Sequence, residues 1–175
     1  MARTLEWISA GDHTLMRRLH RWRAPRWIRL WLLCATRGGD GWLWYAMALV
    51  LAVYGGDNRG RALFAASIAS ASGIVVFLAL KRLTGRRRPC QIEPHCWATL
   101  LPPDQFSFPS GHTITSFSIA VPLIQYYPDL TIGLLFCAFS IAISRIVLGM
   151  HFLSDVLAGL VIGVGLGSGA YWLVG

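Results

Sequence analysis

Apolar residues fill most of the chain in five stretches, and short polar segments separate them. A helix rises 1.5 Å per residue, so the stretch at residues 62–80 would extend about 28 Å, close to the thickness of a bilayer's hydrocarbon core. The pattern therefore predicts an all-α fold, a polytopic membrane helix bundle with five spans. The expected spans are residues 41–54, 62–80, 112–126, 130–148 and 156–174.

The first 38 residues have a different pattern. Residues 5–24 mix aliphatic side chains with arginines and tryptophans, which is typical of an amphipathic helix lying in the membrane interface. Residues 27–35 are apolar apart from Arg29 but too short to cross, which predicts a second interfacial or half-inserted helix. We therefore expect an interfacial segment at residues 1–38 and a transmembrane domain at residues 39–175. Deep insertion of residues 25–37 would raise the count to six spans.

The last stretch carries glycines at helical spacing, with Gly159, Gly163 and Gly167 on one face and Gly165 and Gly169 on another. Small residues let helices approach closely, so the first three predict a packing face. That face could lie within a monomer or between the subunits of a homodimer, and we expect the former.

Composition supports a membrane protein. The 175 residues are 55% hydrophobic with a mean hydropathy of +0.52, which is too apolar for a soluble domain of this size. The net charge is +8, and Lys81 is the only lysine among sixteen basic residues. Arginine favours fixed contacts with anionic groups, including lipid headgroups. No nucleic-acid-binding module is recognisable, so we expect membrane lipids and no nucleic acid as partners.

Two cysteines flank the short segment CQIEPHC. Cys90 and Cys96 could form a disulfide if the segment faces an oxidising compartment. Free thiols are the alternative, and a metal site with His95 is a weaker one because it would have only three ligands.

Three polar clusters interrupt the apolar stretches: residues 81–89, 109–112 and 144–155. Charged groups at membrane depth are costly, so such clusters indicate a functional site. The second span ends at the first cluster and the third begins at the second cluster. The chain then crosses twice and delivers the third cluster to the same side. The order of the spans therefore predicts that all three clusters meet in one pocket.

Each cluster alone has a simpler explanation: a basic membrane anchor, a capped helix start, or a polar pair between helices. Together they indicate a phosphate pocket, because several cations and the backbone N–H groups that open a helix would converge on one anion. The candidate phosphate ligands are Lys81, Arg88, Ser110, Gly111 and Arg145.

The third cluster also contains a candidate nucleophile. His151 could attack phosphorus if its other ring nitrogen is held as a donor, and Asp155, one helical turn later, is spaced to hold it. His112, on another helix, could protonate the departing oxygen. No Asp and Glu cluster suited to Mg²⁺ is apparent, so we expect neither a metal nor another cofactor.

These residues resemble the motifs of the type 2 phosphatidic acid phosphatase (PAP2) superfamily, which includes bacterial phosphatidylglycerophosphate and undecaprenyl pyrophosphate phosphatases. Lys81, Arg88 and Pro89 fit K-x6-RP, residues 109–112 fit PSGH, and residues 144–155 fit SR-x5-H-x3-D. The resemblance implies a metal-independent lipid phosphatase in which His151 forms a phosphohistidine, Asp155 orients it and His112 acts as general acid and then base. It also implies a bacterial inner membrane protein.

Two questions remain open at this stage. Members of this kind usually have six spans, one more than the five expected here, and a periplasmic active site. We also expect a periplasmic site, whereas the arginine-rich N-terminus favours a cytoplasmic one. The alternative functions are a lipid phosphotransferase with the same intermediate, vanadate-dependent haloperoxidase chemistry, and a non-enzymatic lipid-binding or transport protein.

Overall fold

The computed structural model describes residues 2–22, 24–92 and 105–175, and no β-strand forms in these ranges. One isolated bridge joins Arg87 to Phe106. The prediction of an all-α fold is confirmed. The helices are α1 (Ala2–Arg21), α2 (Arg26–Arg37), α3 (Leu43–Tyr54), α4 (Arg59–Thr84), α5 (Pro89–Ile92), α6 (Gly111–Tyr126), α7 (Thr131–Val147) and α8 (Leu153–Val174).

Three segments of the described ranges are long and apolar enough to cross a membrane: Gly56–Thr84, Pro128–Val147 and Leu153–Val174. The other two helices at predicted spans are shorter, with 12 residues in α3 and 16 in α6. These three segments are therefore candidate membrane spans, and the count of five or six spans stays a prediction.

Helix α6 lies at the centre of the bundle and packs against α4, α7 and α8. Small residues allow this approach: Ala62, Ala65 and Ala69 of α4 are fully buried. A Cβ atom on Gly73 would lie only 2.8 Å from Ile114 Cγ2. The close contact brings the C-terminal end of α4 beside the N-terminal end of α6.

Helix α8 packs on α6 through the predicted glycine face. A Cβ atom on Gly159 would lie 2.9 Å from the Ser110 carbonyl oxygen, and one on Gly163 would lie 2.7 Å from the Ile114 carbonyl oxygen. Gly165 and Gly169 have no such neighbour within 4 Å. The packing face is therefore confirmed as a contact within one chain.

Helices α2 and α3 form a kinked pair. Trp31 of α2 stacks on Phe136 of α7 with the ring centroids 6.1 Å apart, so α2 runs beside α7. A short π-helical turn, Gly38–Trp42, joins α2 to α3 across a kink, where Gly41 has a non-helical φ of +119°. The expected boundary between an interfacial segment and a membrane domain at residue 38 thus falls at this kinked turn, and that division stays a prediction.

Candidate active site

The three polar clusters meet in one cavity of about 360 Å³ at the end of the bundle where α4 and α7 finish and α6 begins. The prediction that they share a pocket is confirmed. Six of the residues proposed from sequence line this site cavity: Lys81, Arg88, Gly111, His112, Arg145 and His151.

His151 lies in the loop between α7 and α8 and is almost fully buried. Its Nδ1 atom is 2.6 Å from the Ser107 carbonyl oxygen. A carbonyl oxygen only accepts, so Nδ1 carries the proton and Nε2 carries the lone pair. Arg88 Nη1 lies 3.1 Å from Nε2. The tautomer that a nucleophilic imidazole needs is therefore held by a backbone group.

The surroundings of His151 keep it neutral. Burial lowers the pKa of His151 well below 6.5, and the positive charges of Arg88, Arg145 and Lys81 lower it further. The imidazole consequently keeps its lone pair in mildly acidic solution.

Asp155 is fully buried in the first turn of α8, and its carboxylate makes stronger contacts than the one predicted with His151. Oδ2 accepts from the Phe152 backbone N–H at 2.8 Å, and Oδ1 accepts from Arg86 Nη1 at 2.7 Å. The distance from Oδ2 to His151 Nδ1 is 3.7 Å. Asp155 thus anchors the histidine loop, and the Ser107 carbonyl is the direct hydrogen-bond acceptor. Sequence reasoning missed Ser107 because a backbone acceptor has no residue-type signal.

Arg86 links α1 to this anchor. Its Nη2 atom lies 2.8 Å from Asp12 Oδ2, and its Nη1 atom also donates to Ser154 Oγ at 2.7 Å. Asp12 Oδ1 accepts from the Ser154 backbone N–H at 3.1 Å. The N-terminal helix is therefore bound to the start of α8, and neither Asp12 nor Arg86 was among the candidates from sequence.

The cations that line the site cavity are buried: Lys81 is 7% exposed, Arg88 1% and Arg145 3%. Thr36 of α2 accepts from Arg145 Nη1 at 2.5 Å, and the Met150 carbonyl accepts from Arg88 Nη1 at 2.9 Å. Buried cations are costly unless they face an anion or a strong acceptor. This arrangement suits a phosphate group.

The second cluster opens α6. Ser110 is the N-cap residue and is buried, but its backbone N–H donates to the Asp155 carbonyl oxygen at 3.1 Å. Its Oγ atom accepts from Thr113 Oγ1 at 2.9 Å. Gly111 lines the cavity, whereas the amide expected of Ser110 is already bonded, and phosphate binding by Ser110 stays a prediction.

His112 has a partner that the sequence did not suggest. Its Nε2 atom lies 2.8 Å from Oδ1 of Asp40, in the π-helical turn, and both residues line the site cavity. A carboxylate in an apolar stretch is the signal that could have found Asp40, because such a charge is costly without a role.

The described residues leave the cysteine question open. Cys90 donates its backbone N–H to the Gly149 carbonyl at 3.1 Å, while Cys96 lies outside the described ranges. The disulfide, the thiols and the metal site with His95 stay alternatives. Within the described ranges, no group of three or more His, Cys, Asp or Glu side chains is placed to hold a metal ion.

The fold and the site define a class of protein: a helical membrane protein with a cavity lined by buried cations and two histidines at one end of the bundle. Residues 61–175 match the model of the PAP2 superfamily, and the chain belongs to this superfamily.

Two curated relatives have names that describe phosphatases of lipid-linked substrates. The chain is 31% identical over 128 residues to decaprenylphosphoryl-5-phosphoribose phosphatase of Mycobacterium tuberculosis, covering 73% of this chain and 68% of that protein. It is 32% identical over 96 residues to lipid A 1-phosphatase of Rhizobium etli, covering 53% of this chain and 41% of that protein. The match thus spans less than half the length of the Rhizobium protein.

Two solved structures share the fold. A transmembrane PAP2-type phosphatidylglycerolphosphate phosphatase from Bacillus subtilis superposes with a TM-score of 0.73 at 21% identity, covering 95% of this chain and 85% of that one. LpxE of Aquifex aeolicus gives a TM-score of 0.72 at 26% identity, with coverages of 90% and 92%.

Proposed function

We propose that this protein is a membrane lipid phosphatase that hydrolyses the terminal phosphate of a lipid phosphate or pyrophosphate through a phosphohistidine on His151. The observation that carries the proposal is the Nε2 lone pair of His151, set by the hydrogen bond from Nδ1 to the Ser107 carbonyl and placed among buried cations. Such a lone pair beside an anion pocket is suited to nucleophilic attack on phosphorus.

The reaction would proceed in two steps. Nε2 of His151 attacks phosphorus, the bond to the lipid oxygen breaks, and His112 gives that oxygen its proton. Water then attacks the phosphohistidine, His112 takes a proton from the water, and the P–N bond breaks to release phosphate and restore His151. Lys81, Arg88 and Arg145 would balance the charge on the phosphoryl oxygens in both steps.

A second cavity supports a lipid as the substrate. This apolar cavity, of about 300 Å³, lies between α3 and α4, and it is lined mostly by aliphatic and small residues. It shares five lining residues with the site cavity: Trp44, Tyr45, Ser70, Ile74 and Ile119. A hydrocarbon tail could therefore lie between these helices while its phosphate reaches the cations. The names of the relatives, which include a polyprenyl-linked and a lipid A substrate, also favour the lipid class.

We place the protein in a bacterial inner membrane with the site cavity on the periplasmic side. Support comes from the superfamily resemblance, while the arginines of α1 favour the opposite face. Labelling of single introduced cysteines at both ends of the bundle in intact cells would decide the orientation.

The function is tested by phosphate release from purified protein in detergent with EDTA. The substrates are phosphatidic acid, phosphatidylglycerophosphate, lipid A, undecaprenyl pyrophosphate and a soluble sugar phosphate. We expect release from a lipid, and a loss of more than about 10³-fold in His151→Ala, the scale expected when a nucleophile is removed. No release from any substrate would refute the hydrolase, and transfer to an added lipid alcohol would favour a phosphotransferase.

A matched pair of arginine variants tests the pocket. Arg88→Ala should raise KM and lower kcat, because it removes a buried cation from the site cavity. Arg59→Ala, at the other end of α4, should leave both constants unchanged. Equal effects of the two substitutions would contradict the assignment of the cavity as the phosphate site.

A further inference from the structure

The π-helical turn between α2 and α3 is shaped around His112. A Cβ atom on Gly39 would lie 3.1 Å from His112 Cδ2 and 2.8 Å from Ile141 Cγ2, so only a glycine lets the turn approach the ring this closely. Gly41, at φ of +119°, has a backbone conformation that side chains disfavour. Between these two glycines the turn presents Asp40.

The contact with Asp40 determines how the His112 ring is oriented. Nε2 lies 2.8 Å from Asp40 Oδ1, and the adjacent Cδ2 atom faces Gly39. The edge that carries Nε2 and Cδ2 therefore faces the turn, and Nδ1 lies on the opposite edge. An ionised carboxylate only accepts, so Nε2 carries a proton in this contact.

We propose that Asp40 is a positioning residue for His112, holding the proton on Nε2 so that Nδ1 exchanges a proton with the substrate oxygen and then with water. The proposal rests on the function proposed above, in which His112 is the general acid and base. The protonated ring gives its Nδ1 proton to the lipid oxygen as the P–O bond breaks, and the electron pair of that bond receives the proton. In the second step Nδ1 accepts a proton from the attacking water.

The charges in the cavity explain why a carboxylate is needed there. Burial disfavours a positive charge on His112, and so do Arg145 and Lys81, which line the same cavity. The negative charge of Asp40 opposes the two positive charges. The Asp40 side chain is 41% exposed, so it is only partly shielded from solvent, and Arg37 Nη1 lies 3.9 Å from its Oδ2 atom. Asp40 and the Ser107 carbonyl thus have the same role for two different histidines. Asp40 accepts from Nε2 of His112 and the Ser107 carbonyl accepts from Nδ1 of His151, and in each ring the other nitrogen is the one that reacts.

The test compares two substrates with the same alkyl chain, an alkyl phosphate and a nitrophenyl phosphate. An alkoxide needs a proton in order to leave, whereas a nitrophenolate does not. We expect Asp40→Asn to slow single-turnover cleavage of the alkyl phosphate by about 10²-fold, within the range that general acid catalysis contributes. The nitrophenolate burst should change by less than about threefold, and KM should stay within the same factor because binding is not the step affected.

Control variants separate this role from a structural one. Asp40→Glu should recover most of the alkyl phosphate rate, and Asp57→Asn, in the exposed turn at the other end of α3, should have no effect. Thermal unfolding in the same detergent reports the fold of each variant. Equal losses on both substrates, or no loss on either, would overturn the proposal for Asp40.

Failure of the proposed function would look different. If the wild-type protein is inactive, or if His112→Ala slows cleavage of both substrates equally, the proposed role of His112 as general acid is refuted. An active wild-type enzyme whose His112→Ala variant discriminates between the leaving groups, while Asp40→Asn does not, would refute only the role of Asp40.

Discussion

Replacing one glycine of α8 should disrupt both the stability and the activity of the protein. In Gly163→Ala the new Cβ atom would lie 2.7 Å from the Ile114 carbonyl oxygen and 2.9 Å from Phe117 Cβ. Ordinary contacts begin at 3.4 Å, so the backbones of α6 and α8 must separate by about 0.7 Å at this point. Gly165→Ala is the matched control, because no such atom lies within 4 Å of its Cβ position.

The two variants share the gain in helix propensity, about 1 kcal/mol for glycine to alanine, so their difference isolates the steric cost. Overpacking of this kind costs about 1–3 kcal/mol, and we expect Gly163→Ala to be less stable than Gly165→Ala by that amount. The same separation moves His112, at the start of α6, away from the loop that precedes α8. Misplacement by about 1 Å can cost 10²-fold, so kcat should fall by about tenfold or more in Gly163→Ala alone.

The assay is thermal unfolding followed by tryptophan fluorescence in one detergent, together with phosphate release under saturating substrate. Identical unfolding midpoints and kcat values for the two variants would refute the packing argument. A larger loss in Gly165→Ala would instead indicate that this second face contacts another copy of the chain.

Two further predictions concern the surroundings of the third cluster. Asp12→Ala removes the acceptor of Arg86 Nη2, and it should destabilise the protein by about 2 kcal/mol and lower kcat. Asp57→Ala, at an exposed position, should do neither. Equal unfolding midpoints for the two variants would contradict a stabilising contact between Asp12 and Arg86. Because burial, and then the charge of Arg88, lowers the pKa of His151 well below 6.5, protonation of His151 should not reduce kcat/KM at pH 6. Arg88→Gln removes that charge and should raise the pKa of His151, so the acidic limb of the kcat/KM profile should move to higher pH. An acidic limb that stays at the same pH would argue against electrostatic coupling between Arg88 and His151.

Much of the site could be predicted from sequence because its chemistry is costly in a membrane. Lys81, Arg145 and His151 stand out within apolar stretches, and a charged or polar group at that depth needs a purpose. Counting the crossings between the three polar clusters then placed them on one side of the bundle. The glycine face of α8 was predictable for a related reason, since a spacing of four residues keeps Gly159 and Gly163 on one face of any helix.

Several contacts could not be predicted because they join residues that are distant along the chain. Asp40 is 72 residues from His112, and Asp12 is 74 residues from Arg86. Local periodicity carries no information on which of several carboxylates will meet a given base. Asp155 was predicted from helical spacing to lie beside His151, and its Oδ2 atom is 3.7 Å from His151 Nδ1. Its closer contacts, with Arg86 and the Phe152 amide, had no such signal.

The class of the protein could be read from the amino-acid sequence, because apolar length, embedded charges and helical spacing act locally or through the number of crossings. The three motifs also identified the superfamily to which the chain belongs. The groups that set the proton on each histidine became visible in the packed fold: the Ser107 carbonyl for His151 and Asp40 for His112. The physical reason is that hydrogen bonds act over about 3 Å, and such proximity between distant residues arises only when the helices pack.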